Sequence, residues 1–279
     1  MANPIFSQSE TFNRRAPQGY APYQATPYQQ SPYQQYPGQP SPGQYGQPPW
    51  QQPAPSEGVM TYDDVIAKTG LALLGVAAAA FASYKYFAMN YSPGLMMGAM
   101  LVSAIVGFIT VLVVAGRRKV SPVGVMIYAL VEGLFIGAFT LLFESMYPGI
   151  AVQAVTGTFA AAGATLAAYK FFNIRVTDKF RKFVLITTMA FAGLMLVNLV
   201  LFLFGINTGI RGFGLMGFVF ALLGAGLAVF NLIMDFDYVD RAVANQAPAS
   251  ESWRAALGIT VTMVWLYTEI LRILSYLRR

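Results

Sequence analysis

The sequence predicts an all-α membrane protein with seven transmembrane helices behind a disordered N-terminal tail. Hydrophobic residues make up 56% of the 279-residue chain and charged residues only 11%, whereas a soluble domain carries about a quarter charged residues. Seven apolar segments each approach the ~20 residues that cross ~30 Å of hydrocarbon. They are continuously apolar rather than alternating, which argues against barrel strands. The lipid bilayer is therefore the expected surrounding of most of the chain.

Residues 1–57 have a different composition from the rest of the chain. They repeat Pro-Tyr-Gln at positions 22, 27 and 32 and are almost uncharged. Proline removes backbone donors, and Gln and Gly bury little apolar surface, so no core is expected. The segment lacks the pattern of a signal peptide. We predict a disordered cytoplasmic tail, which is either inert or binds envelope protein partners.

The predicted transmembrane domain covers residues 58–279. Thr61 and Asp64 have the spacing of a capping box, and Asp63 with Asp64 suits the N-terminus of a first helix. Polar loops containing Pro, Gly or several charges separate the apolar segments. The predicted spans are about 65–88, 95–115, 121–143, 150–172, 182–204, 212–235 and 255–277.

Basic residues predict the orientation, because cytoplasmic loops of membrane proteins collect Lys and Arg. The loops after spans two, four and six hold Arg117, Arg118, Lys119, Lys170, Arg175, Lys179, Arg181, Lys182, Arg241 and Arg254. The opposite loops hold only Lys85 and Arg211. We predict a multi-pass plasma-membrane protein with a cytoplasmic N-terminus. Arg278 and Arg279 oppose this pattern at the C-terminus, so the seventh segment either spans fully or dips and returns.

Composition also restricts the chemistry. The chain contains no Cys and no His, which excludes thiolate nucleophiles, Ser–His pairs, HExxH zinc sites and an imidazole pH switch. Any pH sensing must come from carboxyl groups. The net charge of +6 is spread over separate short loops, so we expect no nucleic-acid partner. Neither enzymatic activity nor a cofactor is predicted.

Two glutamates interrupt apolar segments, where ionisable residues are costly and usually face the bundle interior or a wet cavity. Glu132 lies near the middle of the third span, beside a GxxxG pair, Gly133 and Gly137, that would let another helix approach closely. It is either a structural hydrogen-bonding group or part of an ion pathway. Glu269 lies in the seventh segment, and Arg272 can share its helix face, so a local ion pair competes with a functional role.

Three aspartates mark the end of the sixth span in "NLIMDFDYVD". Asp235 follows the apolar run "ALLGAGLAVFNLIM" and is the candidate for an interior role. Asp237 and Asp240 share a helix face next to Arg241, and we expect both to be solvated.

The motifs around these acids resemble a known family. "NLIMDFDYVDRAV" followed by "WRAALGITVTMVWLYTEILRILSYL" resembles the end of the Bax inhibitor-1/YccA-like membrane proteins. "MTYDDVIAKTG" and "YALVEGLFIGAF" are similar to its bacterial, actinobacterial-like branch. The resemblance covers about residues 58–279. It implies seven helices with the last one central and flanked by the other six.

The resemblance also implies a latch, meaning two acidic side chains that hold the sixth and last helices together in a pH-sensitive way. The family associates this latch with calcium leak. Asp235 matches the first aspartate and Glu269 the second, where this chain has one methylene more. Both would then serve as calcium ligands along an ion pathway that also includes Glu132. The possible latch partners are Arg117, Arg118, Arg272 and Asp237.

Helix arithmetic places the two acids at different depths. Glu269 lies 16 residues past Trp253, about 24 Å along a helix, and Asp235 lies 24 residues past Arg211, about 36 Å. Asp235 is therefore expected near the cytoplasmic face and Glu269 deeper. They meet only if the last helix begins well outside the membrane or is broken, for example near Gly258.

Two functions remain open at this stage. The first is a pH-sensitive cation leak channel or transporter for calcium, since two carboxyl groups in a dry site share a proton and their oxygens suit a hard cation. The second is a non-transporting membrane partner that modulates envelope proteins such as a membrane protease.

Overall fold

A computed structural model describes residues 58–279 except 173, 207, 211 and 213. These residues form seven α-helices: α1 (Tyr62–Met89), α2 (Pro93–Ala115), α3 (Pro122–Met146), α4 (Ile150–Phe171), α5 (Asp178–Leu203), α6 (Leu215–Ala244) and α7 (Glu251–Leu277). All seven are long and apolar enough to cross a membrane. The predicted all-α class and the number of spans are confirmed. The predicted tail, residues 1–57, and Arg211 lie outside the described residues.

The last helix is the central one, as expected. Within its most apolar 18 residues 61% are buried, compared with 6% for α5. Helix α7 packs against α1, α3, α4 and α6, while α2 packs mainly on α3 and α5 mainly on α6. Two helices therefore form an outer layer on a five-helix core. Polar side chains of α6 and α7 are consequently enclosed by protein.

The glycine pair of α3 allows α1 to approach closely, as predicted. A Cβ atom added at Gly133 would lie 2.6 Å from the backbone oxygen of Val76. Ser83 of α1 donates a hydrogen bond of 3.3 Å to the carbonyl of Gly133. Small residues at such contacts let helix backbones pack directly. The α1–α3 pair is the largest helix contact of the described fold.

The N-cap half of the predicted capping box at the start of α1 is present, since the Thr61 side chain accepts a 3.2 Å bond from the amide of Asp64. The face of the bundle where α1 begins also holds the connections α2–α3, α4–α5 and α6–α7. Basic residues in or beside these connections include Arg117, Arg118, Arg175 and Arg241. We call this side of the bundle the basic face.

The predicted loop 236–254 is wrong. Helix α6 continues nine residues past Asp235 to Ala244, and α7 already begins at Glu251. The apolar pattern ends near Asp235, but the helix does not, because the polar residues after it find partners on neighbouring helices. Helix α7 is continuous through Gly258 and 27 residues long. A full span is therefore favoured over a segment that dips and returns.

Candidate functional site

Asp235 is buried at the contact between α6 and α7. Its side chain is 2% exposed, and its Oδ2 accepts a 2.7 Å hydrogen bond from the hydroxyl of Thr262. The contact joins two antiparallel helices. A buried carboxyl group needs such a partner, because losing its hydration without a hydrogen bond costs several kcal/mol.

Glu269 is buried farther along the same helix contact. It is fully buried, and its Oε2 accepts a 3.0 Å bond from Arg272 one turn later. Helix α6 makes room for it at Gly224, where an added Cβ would lie 3.0 Å from the Glu269 carboxyl carbon. The ring of Phe191 from α5 also lies beside Gly224, 3.1 Å from the position of an added Cβ. The predicted local ion pair of Glu269 with Arg272 is present.

The two acids do not meet in this structure. Thr262, the partner of Asp235, lies seven residues before Glu269, which is about 10 Å along α7. Gly224, beside Glu269, lies eleven residues before Asp235, about 16 Å along α6. A calcium ion contacts its oxygen ligands at about 2.3–2.6 Å, so one ion cannot bridge the two carboxyl groups here. The arithmetic that placed Glu269 deeper is therefore supported by the contacts.

We call the set Asp235, Thr262, Gly224, Glu269 and Arg272 the α6–α7 seam. It presents two carboxyl groups at successive depths along one helix contact. Each group can exchange a proton, and each carries oxygen atoms of the kind that hard cations prefer.

Asp237 is not solvated, contrary to expectation. It is 7% exposed and forms ion pairs with Arg241 at 2.8 Å and with Arg181 of α5 at 3.2 Å. Asp240 is partly buried and accepts a 3.0 Å bond from Tyr62 of α1. These acids connect the end of α6 to α5 and α1. Asp237 points away from the α6–α7 seam and is paired with arginines there.

Arg254 forms a buried cluster at the start of α7. Its side chain is fully buried, and it donates to the carbonyl oxygens of Ala115, Arg117 and Arg118 at 2.8–3.0 Å. Its Nε also contacts Glu251 at 3.0 Å. The Arg117 and Arg118 side chains were expected as latch partners, but here the backbone of these residues receives Arg254. We call Arg254 and the groups it binds the Arg254 cluster.

The cluster extends to α6 through one further bond. Tyr238 donates a 2.6 Å hydrogen bond to Oε2 of Glu251. Tyr238 lies one turn past Asp235, on the side of the basic face. Through Glu251 and Arg254 it connects α6 and α7 with the end of α2. If α7 moves relative to α6, these hydrogen bonds must break or the end of α2 must move with α7.

Glu132 lies at a different contact. It is half-buried in α3, and an added Cβ at Gly107 of α2 would lie 2.8 Å from its Oε2. The α2–α3 contact therefore holds this third intramembrane acid. A cavity of about 300 Å³ lies between α2 and α3 near the basic face, with Thr110 and Arg117 among its lining residues. Glu132 does not line this cavity.

Sequence reasoning missed two residues of the site. Thr262 has one available signal: it precedes Glu269 by seven residues, so the two polar groups share a face of a helix. Arg254 was counted only as a loop cation. Glu251, three residues earlier, has the spacing of a helical ion pair, but nothing in the sequence shows that three carbonyl groups at the end of α2 lie within its reach.

A family model described as Bax inhibitor 1 like matches residues 3–279. No curated relative matches the chain.

Proposed function

The chain belongs to the Bax inhibitor 1 like family, and from that premise we propose that it forms a pH-sensitive cation leak pathway with calcium as the transported ion. The protein is a multi-pass membrane protein with seven apolar helices. We further propose that it lies in the plasma membrane with its N-terminus and basic face in the cytoplasm, because the positive-inside rule favours this orientation.

The observation that carries the proposal is the buried Asp235. A carboxyl group 2% exposed within an apolar bundle, and hydrogen-bonded to a hydroxyl of the next helix, is a default candidate for an ion or proton pathway. Its position in the sequence also matches the first latch residue that the resemblance implies.

The proposed mechanism uses the two seam carboxyl groups in succession instead of as one bonded pair. With a proton on Asp235, the seam holds α6 against α7 through Thr262. When the proton leaves, a charge remains that a dry contact cannot accommodate, so water or a cation must enter or the helices must separate. A cation that enters meets Glu269 next, and it competes there with Arg272.

Glu132 is proposed as a separate acid of the pathway. It lies on the α2–α3 contact rather than in the seam, and a cavity occupies the same helix contact nearer the basic face. It would act on ions or protons that enter from that face.

Calcium flux into liposomes tests the proposal. Purified protein should pass calcium faster than empty liposomes, with a rate that changes with pH, and Glu269→Gln should change that rate. Asp178→Asn, which removes an exposed acid at the start of α5, is the control and should behave like the wild type. Flux equal to that of empty liposomes at every pH would reject the proposal.

One observation favours a second candidate, a membrane partner that modulates envelope proteins. Residues 58–60 pair with the α6–α7 loop: Met60 donates to the carbonyl of Ala247 at 2.8 Å, and Ala249 donates to that of Gly58 at 2.6 Å. A protein bound to residues 1–57 would therefore act close to the loop that joins α6 and α7. Deletion of residues 1–57 with unchanged flux and unchanged co-purified proteins would reject this role.

A further inference from the structure

A groove of about 440 Å³ lies between α1, α3, α4 and α7. Its volume is within the ~300–1,000 Å³ typical of ligand pockets. It lies on the other side of α7 from α6, so it is separate from the α6–α7 seam. The inference drawn from it does not depend on cation transport.

The walls of the groove accept hydrocarbon. Side chains such as Val76, Ile136, Val155 and Phe159 line it. Three of its four hydroxyl groups are hydrogen-bonded within the protein: Thr140 and Tyr267 bond each other at 2.8 Å, and Thr158 donates to the carbonyl of Ala154. The fourth belongs to Tyr84. A peptide in this place would leave its backbone groups without partners, so an extended alkyl chain is the better occupant.

One cation lies at the end of the groove. Lys85 lines it four residues before the end of α1, which places it near the membrane surface. Its Nζ lies 5.6 Å from the ring centroid of Phe81, another lining residue. Within the described part of the chain, no carboxylate forms an ion pair with Lys85. An exposed ammonium beside an apolar groove complements an anionic head group attached to an acyl chain.

We propose that this groove is a binding site for an anionic phospholipid, with one acyl chain between α1, α4 and α7 and the phosphate at Lys85. The apolar walls would hold any lipid chain, whereas Lys85 provides the selection for negative charge. The site lies on the face opposite the basic face, so the lipid belongs to the leaflet there.

Spin-labelled lipids test the proposal on the intact protein in phosphatidylcholine vesicles. The fraction of each labelled lipid that is immobilised gives its association constant. This constant should be about fivefold higher for phosphatidylglycerol than for phosphatidylcholine, which is the effect expected of one lysine near an anionic lipid surface. Lys85→Gln should abolish the preference and Lys85→Arg should keep it. Lys179→Gln, which removes an exposed cation outside the groove, should leave it unchanged.

A second pair of variants tests the groove itself. Ala77 lines it, so Ala77→Phe should fill it and reduce the immobilised phosphatidylglycerol. The neighbouring Ala78 is exposed and not part of the lining, so Ala78→Phe is the matched control. Equal association of both phospholipids, equal loss in Lys85→Gln and Lys179→Gln, or stronger immobilisation of labelled stearic acid than of phosphatidylglycerol would each overturn the proposal.

Discussion

The hydroxyl of Thr262 donates a 2.7 Å hydrogen bond to Oδ2 of Asp235, and this bond connects α6 with α7 at the level where a latch between two acids was expected. Glu269, the second acid, lies about 10 Å farther along α7 and pairs with Arg272. Proton exchange at Asp235 and at Glu269 can therefore have separate effects.

Thr262→Val should shift the pH at which calcium flux changes, whereas Asp235→Asn should remove that change. Valine keeps the shape of threonine but leaves the buried carboxyl group without its donor, which costs about 1–3 kcal/mol. Because the two residues form one contact, the double variant should differ little from Asp235→Asn alone. Flux of each variant across a pH series measures this. Fully additive effects would show that Thr262 does not act through Asp235.

Gly224→Ala should lower the thermal stability of the protein and alter its flux. The added methyl group would lie 3.0 Å from the Glu269 carboxyl carbon and 3.1 Å from Phe191, and such crowding costs about 1–3 kcal/mol. Gly226→Ala is the matched control, since an added Cβ there meets nothing within 4 Å and alanine favours the helix by about 1 kcal/mol. Thermal unfolding in detergent compares them. Equal melting temperatures would contradict the packing described around Glu269.

Arg254→Lys should destabilise the fold strongly. Lysine cannot reproduce a planar group that donates to three carbonyls and a carboxylate, and breaking a buried ion pair costs about 3–5 kcal/mol. Thermal unfolding again measures the change.

Arg118→Gln is the control for this prediction. It removes an exposed side chain but keeps the backbone carbonyl that receives Arg254. It should melt like the wild type and keep the wild-type pH profile of flux. A pH profile altered by Arg118→Gln would restore the Arg118 side chain as a latch partner.

Glu132→Gln should change flux independently of Asp235→Asn. Glu132 belongs to the α2–α3 contact and Asp235 to the α6–α7 contact, and they share no described partner. Effects of distant sites usually add within about 0.5 kcal/mol. The logarithm of the flux of the double variant should therefore equal the sum of the two single changes. A strongly non-additive result would place both acids in one coupled site.

The sequence was sufficient for the number of spans, because lipid imposes length and hydropathy on each helix. The interior positions of Asp235 and Glu269 followed from the apolar residues around them, and the central last helix followed from the family resemblance. Sequence reasoning failed at the ends of α6 and α7. The residues around Asp237 have the composition of a solvated helix end, yet Arg181 from α5 forms an ion pair with Asp237. Partners that come from distant positions, such as Thr262 for Asp235 or three carbonyls for Arg254, depend on how helices pack. Spacing within one segment does not contain that information.

The most direct test of the account is the pH profile of calcium flux for Asp235→Asn beside the wild type in the same liposomes. Asparagine keeps the size and the acceptor oxygen for Thr262 but cannot gain or lose the proton. We predict that the wild-type flux changes with pH and that Asp235→Asn flattens this change while the protein still folds and melts cooperatively. A folded Asp235→Asn variant with the wild-type pH profile would contradict the role assigned to Asp235.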